Sequence, residues 1–134
     1  MASTPTNLEI LVSRPAGSPV VRGYVEADPA ALAFYPGHFD DAGDYRAKAA
    51  EVDARFDAQR RRRAAAALTV PPGGDADRLR RFQEEGGYMV TTGQQPGLFG
   101  GPLYNLYKAI TALRLARTLE AGLGKPVLPV FWVA

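Results

Sequence analysis

Hydrophobic and polar positions change rhythm twice along this chain, and the second change, after residue 87, is the sharper. A short β-prone run, Tyr88 to Thr92 (YMVTT), predicts a strand. It gives way to a glycine-rich stretch, Gly93 to Gly101 (GQQPGLFGG). A helical rhythm follows, with Leu103, Leu106, Ile110 and Leu113 at three- to four-residue spacing and Leu115, Leu119 and Leu123 widening the stripe. Pro102 suits the first helical position, and Gly122 and Gly124 mark the end, after about Ala121. So broad a stripe predicts a helix with much of its surface buried. Val127 to Ala134 (VLPVFWVA) is almost wholly apolar, as in a parallel strand covered on both faces. Strand, glycine loop, helix and buried strand together predict a right-handed βαβ unit.

Residues 1–87 read as a mainly helical lead-in. Leu8 to Val12 and Val20 to Val25 are candidate short strands. Asp28-Pro29 is a helix start, and Pro36-Gly37 keeps that helix short. A long helix is expected from Asp41–Asp44 to about Leu68, with Ala49, Val52, Phe56 and Gln59 on one face. Pro71-Pro72-Gly73-Gly74 ends it, and Asp75 caps a further helix over Asp77 to Glu85 that Gly86-Gly87 terminates. The fold class is therefore α/β: a Rossmann-like βαβ unit at the C-terminal end, a helical region before it, and an incomplete sheet. Residues 1–134 read as the N-terminal part of one such domain.

Composition narrows the function classes. Apolar residues make up 46% of the chain, enough for a packed core, and the formal net charge is only +2, too small for a nucleic-acid binder without a basic face. Arg60 to Arg63 would spread around one helix, which fits a solvated surface better than a binding stripe. No cysteine is present, which excludes disulfides and cysteine-held metals, and the single histidine excludes a site of several imidazoles. His38 lies among Phe34, Tyr35 and Phe39 and reads as a packing or surface residue. Met1 to Ile10 lacks the pattern of a signal peptide, and no apolar run approaches the roughly 20 residues needed to span a bilayer. A cytoplasmic protein is the expectation.

The candidate chemistry sits in the glycine loop. A strand that enters a helix through glycines aims backbone N–H groups and the helix dipole at one point, which suits an anion. Gly93, Gly97, Gly100 and Gly101 allow close approach, and the amides of Gln94 and Gln95 can donate and accept. The loop matches neither G-x-G-x-x-G nor G-x-x-x-x-G-K-[ST], so the common nucleotide fingerprints are missing. A plain βα turn with extra glycines remains open. Tyr104 and Lys108 share a helix face, where Lys108 either points at an anionic substrate group or is simply solvated. Tyr107 and Thr111 form the neighbouring pair.

Thr91 to Ala134 closely resembles the BshC family of bacillithiol-synthesis cysteine-adding enzymes. The resemblance rests on Thr92-Gly93-Gln94-Gln95, Gly97-Leu98, Gly101-Pro102-Leu103-Tyr104, Lys108 and Pro129-Val130-Phe131-Trp132, in order and without gaps. Residues 31–58 resemble the family more loosely. Thr is common in the family where this chain has Gly100, and His where it has Tyr107. The resemblance implies a ligase that joins L-cysteine to glucosaminyl-malate through an amide bond. It also implies a Rossmann-like core and a homodimer of the full-length enzyme. Amide formation calls for an activated carboxyl group, so ATP or another nucleotide is the expected cofactor of the full-length enzyme. The substrate-binding set carried over is Thr92, Gly93, Gln94, Gln95, Gly101, Pro102, Tyr104 and Lys108.

No metal site and no membrane or nucleic-acid partner is expected. Family members are several times longer, with an acidic, histidine-containing motif after the second strand. The catalytic residues are therefore expected beyond Ala134, and this chain is expected to be an inactive N-terminal fragment. One crossover helix covers one face of a strand pair, so Leu128, Val130 and Trp132, or the opposite set, should lack cover and leave the chain poorly stable. Two other readings stay open: a generic nucleotide- or phosphate-binding α/β domain of nucleotidyltransferase type, and a non-catalytic helical interaction module.

Overall fold

The computed structural model describes residues 17–133, which fall into two compact units with a boundary at Asp44. The candidate strand at Leu8 to Val12 lies outside the described residues.

The first unit holds α1 (Pro19–Val25) and α2 (Pro29–Leu32). Val20 to Val25 is thus a helix and not a strand. Ser18 overrides the β-branched valines: its side chain accepts from Val21 N at 3.4 Å, and Pro19 occupies the first turn. Asp28 caps α2 in the same way, at 2.9 Å from Ala30 N. His38 packs as the sequence implied. Its Nε2 lies 2.9 Å from the Tyr24 carbonyl and so carries the ring proton, and its ring rests on Tyr24 and Phe39.

The second unit contains all but the first three residues of α3 (Ala42–Arg55), then α4 (Ala58–Ala66), α5 (Ala76–Glu85), β1 (Tyr88–Gln94), a short 3-10 turn (Leu98–Gly100), α6 (Leu103–Leu123) and β2 (Val127–Val133). The single long helix expected from Asp41–Asp44 to Leu68 is instead two helices. The break is at Phe56-Asp57, where the Asp57 carboxylate accepts from Arg60 N at 2.8 Å and caps α4. An aspartate whose side chain can take a free amide offers the backbone an alternative to continuing the helix. The break also brings Arg61 inward: it is 14% exposed and paired with Asp53 at 3.3 Å, an exception to the solvated arginine run. Asp75 caps α5 as anticipated.

β1 and β2 pair in parallel, in register from Tyr88 opposite Val127 to Gln94 opposite Val133, and α6 is the crossover between them. This is the βαβ unit read from the sequence, with β1 two residues longer than expected.

Both faces of this sheet are covered near its start. On one, Ala65, Phe82 and Leu128 form a core joined by Phe56, Leu68, Leu79, Met89 and Val130. On the other lies α6. The expectation that Leu128 and Val130, or their opposites, would lack cover is corrected here: α4 and α5 supply it, and only the last residues of β2 stay open.

The packed face of α6 also differs from the stripe of large residues. Asn105, Ala112 and Ala116 are buried, whereas Leu103, Leu106, Ile110 and Leu113 are exposed. Small side chains let the helix axis come close to the strands, and the leucine stripe is left pointing outward. No helix among the described residues is long and apolar enough to cross a membrane.

Candidate functional site

Strand alternation puts Thr92 and Gln94 on one face of β1 and Gly93 on the other. Gly93 is opposite Trp132 in the register, and a Cβ built on it would lie 2.4 Å from the Trp132 carbonyl oxygen. The close pairing of the two strands at this point therefore requires glycine. Beyond Gln94 the chain is exposed through Gln95, Pro96, Gly97 and Leu98.

Lys108, one turn into α6, reaches back to the end of β1. Its Nζ donates to the Gly93 carbonyl at 2.5 Å and to Gln94 Oε1 at 3.1 Å, and lies 5.7 Å from the centre of the Tyr104 ring. Gly93, Gln94, Tyr104 and Lys108 are thus drawn together. The lysine is half-buried and engaged, so it is not the free solvated lysine that spacing alone allowed. Gln95 is exposed in the loop, and Thr92 lies half-buried within the strand.

The approach to α6 is shaped by Gly101 and Pro102. Gly101 has φ +79°, in the region that favours glycine, and a Cβ there would meet Asn105 Nδ2 at 2.5 Å. Pro102 is the N-cap and not the first helical residue, and offers the first amides of the helix no side-chain acceptor. Asn105 N donates to the Pro102 carbonyl at 2.9 Å, and the amides ahead of it, with the helix dipole, retain their capacity for an anion. The two faces of the arrangement complement each other chemically: Lys108 occupies acceptors at the strand end, while the helix start presents donors.

Asn105 was not singled out from the sequence. It is 8% exposed, its Nδ2 donates to the Gly100 carbonyl at 3.0 Å, and its Oδ1 is buried without a hydrogen-bond partner. It ties the loop to the first turn of α6. The available signal was a lone amide within an apolar helix, on the face the leucines do not share.

A second polar cluster lies at the opposite end of the sheet. Asp53 accepts from Lys125 Nζ at 2.8 Å and from the Tyr88 hydroxyl at 2.9 Å. The Lys125 hydrogen bond holds the Asp53 carboxyl below its usual range, against the opposing effect of burial, with help from Tyr88 and Arg61. Burial first, then the bond to Asp53, pushes the Tyr88 hydroxyl up. This cluster fastens α3 to the first residue of β1 and to Lys125, just ahead of β2.

The site sits where open α/β sheets bind ligands, at the carboxyl ends of parallel strands. Residues 7–134 match the model of the bacillithiol biosynthesis BshC N-terminal Rossmann-like domain. A protein of Heliobacterium modesticaldum named "Putative cysteine ligase BshC" is 59% identical over 59 residues, covering 44% of this chain and 11% of that protein. Its namesake in Exiguobacterium sibiricum is 48% identical over 58 residues, 43% of this chain and 11% of the relative. The one in Solibacter usitatus is 41% identical over 90 residues, 67% of this chain and 16% of the relative. The matched stretches therefore span between about a tenth and a sixth of these relatives' length. With the model covering nearly all of the chain and the parallel unit in place, the chain belongs to the BshC family and carries its N-terminal Rossmann-like domain.

Proposed function

We propose that this chain supplies the N-terminal half-site of a cysteine ligase that joins L-cysteine to glucosaminyl-malate in the last step of bacillithiol synthesis. The observation that carries this reading is the family match together with the donor cluster at the carboxyl end of β1. Thr92, Gly93, Gln94, Gln95, Gly101, Pro102, Tyr104 and Lys108 form the substrate-binding surface. The groups that complete the chemistry belong to the part of the relatives that this chain does not match, so residues 1–134 alone form no product. The protein works in the cytoplasm, and the complete enzyme is a homodimer.

The donor set fits an anionic oxygen, and a nucleotide phosphate satisfies that as well as a carboxylate does. When bound, a nucleotide such as ATP would supply the activation of the cysteine carboxyl. Gln94 and the start of α6 are the groups here that would hold its phosphate. The test is a coupled assay of the complete ligase carrying these residues, with cysteine, glucosaminyl-malate and ATP, beside the 134-residue chain. Amide product from the complete ligase only is the expected result. Product from the chain alone would end the half-site reading, and none from either would end the ligase reading.

A further inference from the structure

The two acceptors at the end of β1, the Gly93 carbonyl oxygen and Gln94 Oε1, both meet the Lys108 ammonium, at 2.5 and 3.1 Å. An ammonium group has three donors and no acceptor, so the Gln94 atom that faces it must be oxygen. Turning the carboxamide over would set N–H against N–H. The polarity of this side chain is therefore fixed by its neighbour, and Nε2 is directed away from the ammonium.

We propose that Lys108 is a positioning residue that makes Gln94 a dedicated N–H donor to a carboxylate or phosphate oxygen of the ligand. The inference rests on the reading of the Gly93–Gly101 loop as a ligand site. An unpaired carbonyl at Gly93 would repel an anion, and Lys108 neutralises it while setting the amide. Two of its three donors are spent in doing so, which holds the ammonium at the strand end, and Gln94 Nε2, turned away from it, is the group that meets the ligand. The Tyr104 ring beside the ammonium and the half-buried position of Lys108 restrict where the charge can move. The Pro102 N-cap adds uncapped helix amides on the approach, which favour the same sign of ligand.

A direct lysine contact makes the opposite forecast for Gln94. If Lys108 itself met the anion, Gln94→Met would free the ammonium and binding would hold or improve. If Gln94 is the donor, Gln94→Met weakens binding about ten- to a hundredfold, as for a lost hydrogen bond to a charged group. The experiment is a titration of the 134-residue chain with sodium phosphate and, separately, sodium acetate, at constant ionic strength. The readouts are the side-chain amide resonance of Gln94 and, for Gln94→Met as well as wild type, the backbone amide resonances of residues 93–105. A saturable shift is expected with at least one anion, and the tighter of the two identifies phosphate or carboxylate as the group bound. Lys108→Met should abolish the Gln94 shift and Lys108→Arg should restore most of it, with backbone spectra showing that both variants are folded.

A wild-type chain whose Gln94 resonance answers neither anion overturns the proposal. So does Gln94→Met binding as tightly as wild type, or a Gln94 shift that survives Lys108→Met. None of these outcomes depends on product formation. A complete ligase without activity would sink the ligase reading while leaving an anion response intact.

Discussion

The two ends of the short sheet are built from opposite materials. At its start, Phe82 and Val127 have no exposed surface and Leu128 is 6% exposed, while at the far end of β2 Trp132 and Val133 are 69% and 61% exposed. The start is clamped from both faces, by α4 and α5 on one side and α6 on the other, and Asp53, Tyr88 and Lys125 lock it at the edge. The end carries glycines, amides and one lysine and has little packed against it. A parallel sheet separates these tasks because every strand enters at one end and leaves at the other. Burial holds the entrance, and the exit is left free to meet a ligand. The cost of ordering the exit loop is met by a few bonds, those of Lys108 and Asn105, and not by a core.

The contrast is broken most severely by Phe82→Ala. Emptying a wholly buried aromatic site should cost about 3–5 kcal/mol, against about 0.5 kcal/mol or less for the exposed Trp132→Ala. Urea unfolding of both variants measures the difference, and equal losses would show that the ends are not so divided. Gly101→Ala should come next, at roughly 1–3 kcal/mol, because φ +79° disfavours a side chain and the new Cβ would strike Asn105. Its effect should be local: hydrogen exchange should rise over 97–105 and stay unchanged at Phe82. Asp57→Ala removes the cap that starts α4 and should lower stability by about 1 kcal/mol. Circular dichroism and unfolding would register it, and Asp57→Asn should recover most of the loss.

The smallest effect sharpens the picture at the clamped end. Asp53 has a depressed pKa when folded, so it contributes stability above its unfolded value of about 3.9 and loses that contribution as the pH falls through the lower folded value. The carboxylate is about one-third exposed, so solvent screening should keep the contribution below about 1 kcal/mol. Asp53→Asn should therefore be slightly less stable than wild type at pH 7 and should converge with it at the acid end of a pH series. A gap that stayed constant with pH would mean that Asp53 acts through packing alone.

The βαβ unit was legible because three rhythms meet there: a β-prone run, a helical period and an apolar run. Capping aspartates at 28 and 75 were equally plain, since a short acidic side chain before a helix has one obvious use. What escaped reading shares a cause. Val20 to Val25 looked like a strand because β-branched residues favour one, but the Ser18-Pro19 start outweighed them. The break at Asp57 was hidden by an alanine- and arginine-rich stretch that favours helix on both sides of it. On α6, residue size misled: the large leucines drew attention, while contact with the sheet was made by Ala112, Ala116 and Asn105. Lys108, Gln94 and Gly93 were legible as a group through the family pattern, whereas spacing paired Lys108 only with Tyr104. That the lysine would spend its charge on the other two was not, because it depends on where the strand ends relative to the helix.

The alanine seam of α6 has a consequence for how the molecule tolerates change. A helix apolar on two sides has no strong preference for which side turns inward, so its rotational phase is set by steric fit. Each residue advances the helix by about 100°, and a slip of one position would swing Lys108 clear of the strand end. The small side chains at 112 and 116 thus act as a key in a shaft. Drift towards larger residues there would be felt as a misaligned lysine about one to two turns away, even if the helix itself remained folded.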